Sequence, residues 1–170
     1  MYQLVDFETK MPVTPINLVF TGKKPWEVVM DLEKAKTKIH FDYFQDAPPC
    51  LAKYLPLLPI ENHVKFVSVR EMATPLVKSK TIGKRLGIDL LFKLESKNPT
   101  GSFKDRGSAV EVSVAKEMNA KGIVLASTGN MAASCSYYAS LAKIPCFIFV
   151  PEGLPLAKLA QVVAFGGKIV

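Results

Sequence analysis

From residue 90 onward, short apolar runs alternate with longer segments of helical periodicity. The runs lie at 90–94, 123–126, 145–150 and 168–170, and the helical segments lie at 102–120, 131–143 and 156–165. In the first helical segment, apolar residues repeat every three or four positions, as they do on one face of an α-helix. Strands that alternate with helices in this way are typical of an α/β fold with a parallel sheet. We assign residues 102–170 to a small α/β domain.

Residues 1–101 are less regular and predict an N-terminal arm together with part of a larger domain. We expect an arm or edge strand to residue 21, a helix from about residue 26 to 38, turns and short helices over 40–59, and a short strand over 64–69. The segment 74–77 predicts an extended turn, followed by a short helix that Gly87 caps. Because the chain ends where the strand at 168–170 begins, we expect the small domain to be incomplete and the chain to be the N-terminal part of a larger fold.

A turn separates the strand at 90–94 from the helix that follows it. Proline fixes its own φ and glycine permits positive φ, so the sequence Asn-Pro-Thr-Gly at 98–101 predicts a tight turn. Ser102 is a candidate N-cap. Lys104 then lies in the first turn of the helix, where the positive end of the dipole disfavours a charged amine. If it is also desolvated, the lysine becomes a nucleophile as the neutral amine, and the alternative is a solvated surface lysine.

The loop Ser127-Thr128-Gly129-Asn130 joins the strand at 123–126 to the next helix. Ligands of open α/β sheets bind at the carboxyl ends of the strands. Small residues also let backbone N–H groups approach an anion at a helix N-terminus. The loop is therefore a candidate site for a carboxylate or a phosphate, although turn and capping preferences explain the same residues.

The net charge of +7 is spread along the chain. The basic residues at 23–24 and 34–38 are too sparse for a nucleic-acid surface, and no aromatic residues are interleaved with them. We therefore expect no nucleic-acid partner, and we assign the positive charge to the binding of small ligands that carry phosphate.

The apolar residues and the cysteines indicate the compartment. No apolar run approaches the ~20 residues that cross a bilayer, and the first residues lack the basic-then-apolar order of a secretory signal. Cys50, Cys135 and Cys146 are widely spaced and form neither a zinc pattern nor a disulfide framework. These features predict no membrane partner, no metal and a reducing, cytoplasmic location.

Three motifs carry a family resemblance. They are Lys93-Leu94-Glu95, the run from Asn98 to Gly107, and the run from Ala126 to Asn130. Together they resemble the pyridoxal-phosphate enzymes of the tryptophan-synthase-β class (fold type II) and, within that class, the threonine synthase family. Segments 74–76, 150–153 and 158–161 support the resemblance, which covers about residues 54–170. It implies a three-layer α/β fold and pyridoxal 5'-phosphate as the cofactor.

The resemblance also implies a role for individual residues at the cofactor. Lys104 would hold the cofactor as an internal Schiff base and would move protons once the substrate has released it. Asn130 would donate a hydrogen bond to the phenolic oxygen of the cofactor, and Phe103 would lie beside the cofactor.

The resemblance also implies contacts with the substrate. The backbone N–H groups of Ser127, Thr128 and Gly129 would bind its carboxylate. Our candidates for binding its phosphate are Ser102, Arg106 and Lys158. The alternative for Asp105 and Arg106 is a surface pair along the helix.

The implied activity is that of a lyase in threonine biosynthesis, which converts O-phosphohomoserine and water to threonine and phosphate. The alternatives are a threonine or serine dehydratase, a cysteate synthase, or a catalytically inactive truncated fragment. Two places depart from the family: the turn at 70–75 lacks the glycine that usually precedes Thr-Pro-Leu, and Met131 stands where a small polar residue often follows Asn130. The family binds the cofactor phosphate with a later glycine-rich loop, so we expect this chain alone to hold the cofactor weakly. A homo-oligomer or a missing C-terminal half would supply the remaining surface.

Overall fold

The computed structural model describes residues 2–13, 25–40, 42–46, 49–69, 71 and 73–170. The strands are β1 Tyr2–Asp6, β2 Trp26–Met30, β3 Leu76–Lys78, β4 Leu91–Lys93, β5 Ile123–Ala126, β6 Cys146–Phe149 and β7 Lys168–Ile169. The α-helices are α1 Leu32–Lys36, α2 Tyr43–Asp46, α3 Ile82–Leu86, α4 Lys104–Glu117, α5 Asn130–Ala142 and α6 Leu156–Ala164. Short 3-10 helices cover Leu51–Leu57, His63–Lys65 and Glu95–Lys97.

The predicted α/β unit is confirmed. Strands β5, β6 and β7 form a parallel sheet with β6 in the middle, and helices α5 and α6 connect them. Ile123 of β5 pairs with Cys146 of β6, and Phe147 of β6 pairs with Lys168 of β7. The carboxyl end of β5 therefore leads directly into the loop 127–129 and helix α5. The division of the chain into two domains at residue 101 stays a prediction.

The helix predicted from about residue 26 to 38 is wrong in its first half. Residues Trp26–Met30 form β2, which pairs antiparallel with β1 so that Tyr2 lies opposite Met30. Tryptophan and adjacent valines favour a strand, and the partner strand is too far away in the sequence for local periodicity to reveal it. Only α1 is helical, and the side chain of Asp31 caps it by accepting a hydrogen bond from Lys34 N at 3.0 Å. Of the predicted N-terminal arm, residues 14–21 lie outside the described part of the chain.

The segment before the lysine motif forms a small antiparallel pair. Leu76–Lys78 is strand β3 rather than a turn, and it pairs with β4 so that Val77 lies opposite Phe92. The short helix between them is confirmed as α3, and Gly87 ends it with a φ of +66°. The strand predicted over 64–69 is wrong, because His63–Lys65 forms a 3-10 helix.

The core lies between helices α4 and α5 and the parallel sheet. Its most deeply buried apolar residues are Ala109, Val112, Ala132, Tyr138, Ala139, Ile148 and Val162. The hydroxyl of Tyr138 donates a hydrogen bond of 3.2 Å to Oε2 of the buried Glu71. Burial raises the pKa of Tyr138, so the phenol stays a donor. This bond attaches the chain segment that precedes β3 to the α/β core.

The three cysteines are free and buried, in agreement with the prediction that they form no disulfide framework. Among the described residues, no helix combines the length and the apolar character that crossing a membrane would require.

Candidate active site

The turn at 98–101 is held by a buried carboxylate. Asp105 is 0% exposed. Its Oδ2 accepts a hydrogen bond from the backbone N of Thr100 at 2.8 Å, and its Oδ1 accepts one from Thr100 Oγ1 at 2.5 Å. Oδ1 accepts a third from Ser134 Oγ in helix α5 at 2.6 Å. Gly101 has a φ of +77°, which a residue with a side chain adopts only with strain. The turn and the starts of two helices are thereby fixed together.

Lys104 is the first residue of α4. The hydroxyl of Ser102 is buried and accepts a hydrogen bond from the backbone N of Lys104 at 3.2 Å. Ser102 therefore satisfies one first-turn amide, as an N-cap does, although the helix begins two residues after it. The Lys104 side chain is half-buried, and its Nζ lies 4.6 Å from the centre of the exposed Phe103 ring. The amine thus stands beside an aromatic face at the helix N-terminus.

The face of α4 that carries Lys104 is open. Gly107 follows one turn later, and a methyl group built on it would contact only Oε1 of Glu111, at 3.9 Å. Glu111 lies a further turn along the same face. Partial removal from water raises the pKa of its carboxyl, and the charge of Lys104 opposes that rise. Glu111 is not among the site residues predicted from the sequence. Its spacing of seven residues from Lys104, which places both on one face of the helix, could have revealed it.

The side chain of Arg106 binds the carboxylate of Glu95 and not a residue beside Lys104. Its Nε donates to Glu95 Oε2 at 2.7 Å and its Nη2 donates to Glu95 Oε1 at 2.5 Å, so the pair is bidentate. Thr74 and Asn98 also donate side-chain hydrogen bonds to this carboxylate, at 2.8 and 3.0 Å. The hydrogen bonds from Arg106 lower the pKa of Glu95 to about 2. The surface pair of Asp105 and Arg106 is therefore wrong: Asp105 is buried, and Arg106 pairs with Glu95.

The loop after β5 presents backbone donors. Gly129 is the N-cap of α5 and has open space where a side chain would be. Within the described residues, the backbone N–H groups of Thr128, Asn130 and Met131 make no hydrogen bond. Thr128, Gly129 and Asn130 are exposed and Ser127 is half-buried. Unpaired N–H groups at the start of a helix bind a carboxylate or a phosphate.

The two helix N-termini lie side by side. The bond from Ser134 to Asp105 joins them, and the hydroxyl of Ser108 lies 3.8 Å from the sulfur of Met131. The structure thus brings the start of α4, with Lys104, next to the start of α5, with Asn130. It does not bring Arg106 to the Lys104 face. Lys158 lies in α6, and its side chain is outside the described part of the chain.

The arrangement fits a cofactor that needs an amine, a ring contact and anion donors. Lys104 supplies the amine, Phe103 an aromatic face, and the start of α5 the backbone N–H groups together with the amide side chain of Asn130. Sequence reasoning missed the supporting residues Thr74, Glu95, Asn98 and Ser134. Glu95 and Asn98 stand in the quoted motifs, and Ser134 offered no signal because Ser residues are frequent throughout α5.

Comparisons with known proteins agree with this geometry. A family model described as pyridoxal-phosphate-dependent enzyme matches residues 67–170. The threonine synthase of Bacillus sp. (strain ULM1) is 45% identical over 121 residues, which are 71% of this chain and 34% of that protein. The threonine synthase of Methanocaldococcus jannaschii is 38% identical over 146 residues, which are 85% of this chain and 36% of that protein. The chain spans about a third of the length of these curated relatives.

Solved structures show the same fold. Serine racemase from Dictyostelium discoideum has 34% sequence identity and a TM-score of 0.54, and the match covers 57% of this chain and 32% of that chain. The processed form of threonine deaminase isoform 2 from Solanum lycopersicum has 26% identity and a TM-score of 0.53, covering 76% of this chain and 32% of that chain.

Proposed function

Because the chain belongs to the family of pyridoxal-phosphate-dependent enzymes, we propose that it carries the reactive lysine of a threonine-synthase-like lyase. The proposed reaction converts O-phosphohomoserine and water to threonine and phosphate. The observation that carries this proposal is the juxtaposition of the Lys104 amine with the donor-rich start of α5, held by the Asp105–Ser134 hydrogen bond. The similarity to threonine synthases supports this reaction over the others of the family.

Lys104 and Asn130 have the central parts in the proposal. When bound, pyridoxal phosphate supplies an electron sink for the electrons that remain after a C–H bond next to the substrate amine is broken. Lys104 would hold the cofactor through Nζ, and the same amine, once free, would accept and return protons. Asn130 would donate a hydrogen bond to the phenolic oxygen of the cofactor, and Phe103 would limit the access of water to the Lys104 amine.

The proposed substrate contacts use the start of α5. The N–H groups of the loop 127–129 and of the first turn of α5 bind the substrate carboxylate, and the positive end of the helix dipole favours that charge. Ser102 and Lys158 stay the proposed ligands of the substrate phosphate. Arg106, the third candidate from the sequence, pairs with Glu95 through Nε and Nη2 and extends from the side of α4 opposite Lys104, so we do not assign it to this phosphate.

A dehydratase that acts on threonine or serine is the second candidate. The structural similarity to a threonine deaminase favours it. Both reactions need the same lysine and the same carboxylate site, so only the substrate distinguishes them.

The experiment compares products. The protein is mixed with pyridoxal phosphate and given O-phosphohomoserine, threonine or serine, and the release of phosphate and of 2-oxo acid is measured. Faster phosphate release from O-phosphohomoserine supports the lyase, whereas faster 2-oxo acid release supports the dehydratase. Lys104→Ala is the control and is expected to abolish either activity.

A further inference from the structure

A cavity of about 440 Å³ lies beside the Glu95–Arg106 pair. It opens between the 3-10 helix Leu51–Leu57 and the amino-terminal turn of α4. Its polar lining residues are Lys53, Tyr54, Thr74, Lys93 and Arg106, and its apolar ones include Cys50. Cavities of about 300–1,000 Å³ are of the size that holds small-molecule ligands.

The lining carries an excess of positive charge. Lys53, Lys93 and Arg106 contribute three cations, and none of the described lining residues is a carboxylate. Glu95 lies behind Arg106 and, together with the buried Glu71, offsets the charge of that guanidinium, which leaves Lys53 and Lys93. The two remaining charges face one cavity, and their mutual repulsion is relieved by an anion between them.

Hydrogen bonds hold two of these cations in place. Lys93 Nζ donates to the backbone oxygen of Thr74 at 2.5 Å, which fixes the end of a long side chain. Glu95 holds the guanidinium of Arg106 through Nε and Nη2, while Nη1 makes no hydrogen bond with the described residues. A planar guanidinium held along one edge offers its other edge to an anion.

The cavity is separate from the Lys104 face. Residues two apart in an α-helix differ by about 200° around the axis, so Lys104 and Arg106 extend from opposite sides of α4. Asp105, between them, points to Ser134 in α5. The cavity and the Lys104 amine therefore lie on opposite flanks of the contact between α4 and α5.

We propose that this cavity binds a small organic phosphate monoester at a second site, apart from the Lys104 face. The net charge of two matches a phosphate group, which carries about two negative charges at neutral pH, better than a single carboxylate. Lys53 and Lys93 bind the phosphate oxygens as point charges and Arg106 donates through Nη1. The hydroxyl of Tyr54 and the apolar lining contact the organic part. The site goes beyond the proposed lyase reaction, which does not use Lys53 or Lys93.

The test is isothermal titration of the protein without pyridoxal phosphate. The two probes are inorganic phosphate and glycerol 3-phosphate, which has no amine or carboxylate with which to imitate the substrate. We expect glycerol 3-phosphate to bind and Lys53→Met and Lys93→Met each to weaken it about tenfold or more. Lys97→Met, at an exposed lysine outside the cavity, is the matched control and is expected to bind as the unchanged protein does. Tighter binding of inorganic phosphate than of the ester would identify a site for free phosphate. It would overturn the proposal that the ligand is an organic phosphate.

Two further variants make the result decisive. Lys104→Ala is expected to keep ester binding; loss of binding in that variant would place the phosphate at the lysine and overturn the second site. Lys53→Arg keeps the charge and is expected to restore most of the affinity that Lys53→Met loses, which a folding defect would not predict. Equal affinity in all variants, or no binding of either probe at millimolar concentration, would also overturn the proposal. Failure of the proposed function would appear in a different experiment, as the absence of a pyridoxal phosphate adduct at Lys104.

Discussion

The hydroxyl of Ser134 donates a 2.6 Å hydrogen bond to Oδ1 of Asp105, and this bond joins the first turn of α4 to the second turn of α5. Asp105 is fully buried and uses its other hydrogen bonds to fix Thr100 in the turn before α4. The position of Lys104 relative to the start of α5 therefore depends on one carboxylate. A lysine in a helix first turn becomes a candidate catalytic group because its neighbour in the sequence is anchored in this way.

Replacing Asp105 by Asn tests that anchor. The amide nitrogen would face either the N–H of Thr100 or the hydroxyls of Thr100 and Ser134, so at least one buried donor loses its acceptor. We expect Asp105→Asn to lower the free energy of unfolding by about 1–3 kcal/mol, measured by urea denaturation. Asp89→Asn, at an exposed aspartate, is the control and should change stability by less than about 0.5 kcal/mol. A stability of Asp105→Asn equal to that of the control would show that the anchor contributes nothing.

The Glu95–Arg106 pair predicts acid sensitivity. The pKa of Glu95 is lowered from 4.5 to about 2 in the folded chain. Because the folded pKa is below the unfolded one, the pair stabilises the fold fully above pH ~5, and this stability is lost as the pH falls towards 2. We expect Glu95→Gln to be less stable than the unchanged protein at pH 7 and to show a smaller loss between pH 5 and 3. Parallel pH profiles of the urea midpoint for the two proteins would contradict the account.

Two glycines near Lys104 should respond to alanine in opposite directions. Gly101 has a φ of +77°, so Gly101→Ala forces a strained backbone and is expected to cost about 1 kcal/mol or more. Gly107 is inside α4 with ordinary helical geometry and space for a methyl group, so Gly107→Ala is expected to stabilise by up to about 1 kcal/mol. Thermal denaturation of the pair checks the signs. Destabilisation by both changes to the same extent would show that φ at 101 is not the cause.

The α/β part of the fold was predictable because its signals are local. Helical periodicity in 102–120 and the turn chemistry at 98–101 lie within a few residues of the elements that they specify. Strand β2 was predicted as a helix because its stability comes from pairing with β1, which is distant in the sequence. Periodicity describes one segment at a time and cannot show such a partner.

The residues of the candidate site also fall into two groups, those that local sequence signals identify and those that only the packing identifies. Lys104 could be placed at a helix start from the turn and the periodicity around it, whereas the role of Asn130 is one that only the family resemblance implies. Asp105 and Arg106 could not be assigned, since two adjacent charges look alike on a helix whatever they bind. Their partners, Ser134 and Glu95, lie 29 and 11 positions away. Only the packing of α4 on α5 and on the end of β4 decides which charge is buried.

Reductive trapping tests the central claim most directly. The protein is incubated with pyridoxal phosphate, reduced with borohydride, digested and mapped by mass spectrometry, alongside Lys104→Ala and, as a matched control, Lys121→Ala at an exposed lysine. The account predicts one major modified peptide, containing Lys104, which disappears in Lys104→Ala and persists in Lys121→Ala. Modification spread over exposed lysines and unchanged by Lys104→Ala, or no modification at Lys104, would contradict it.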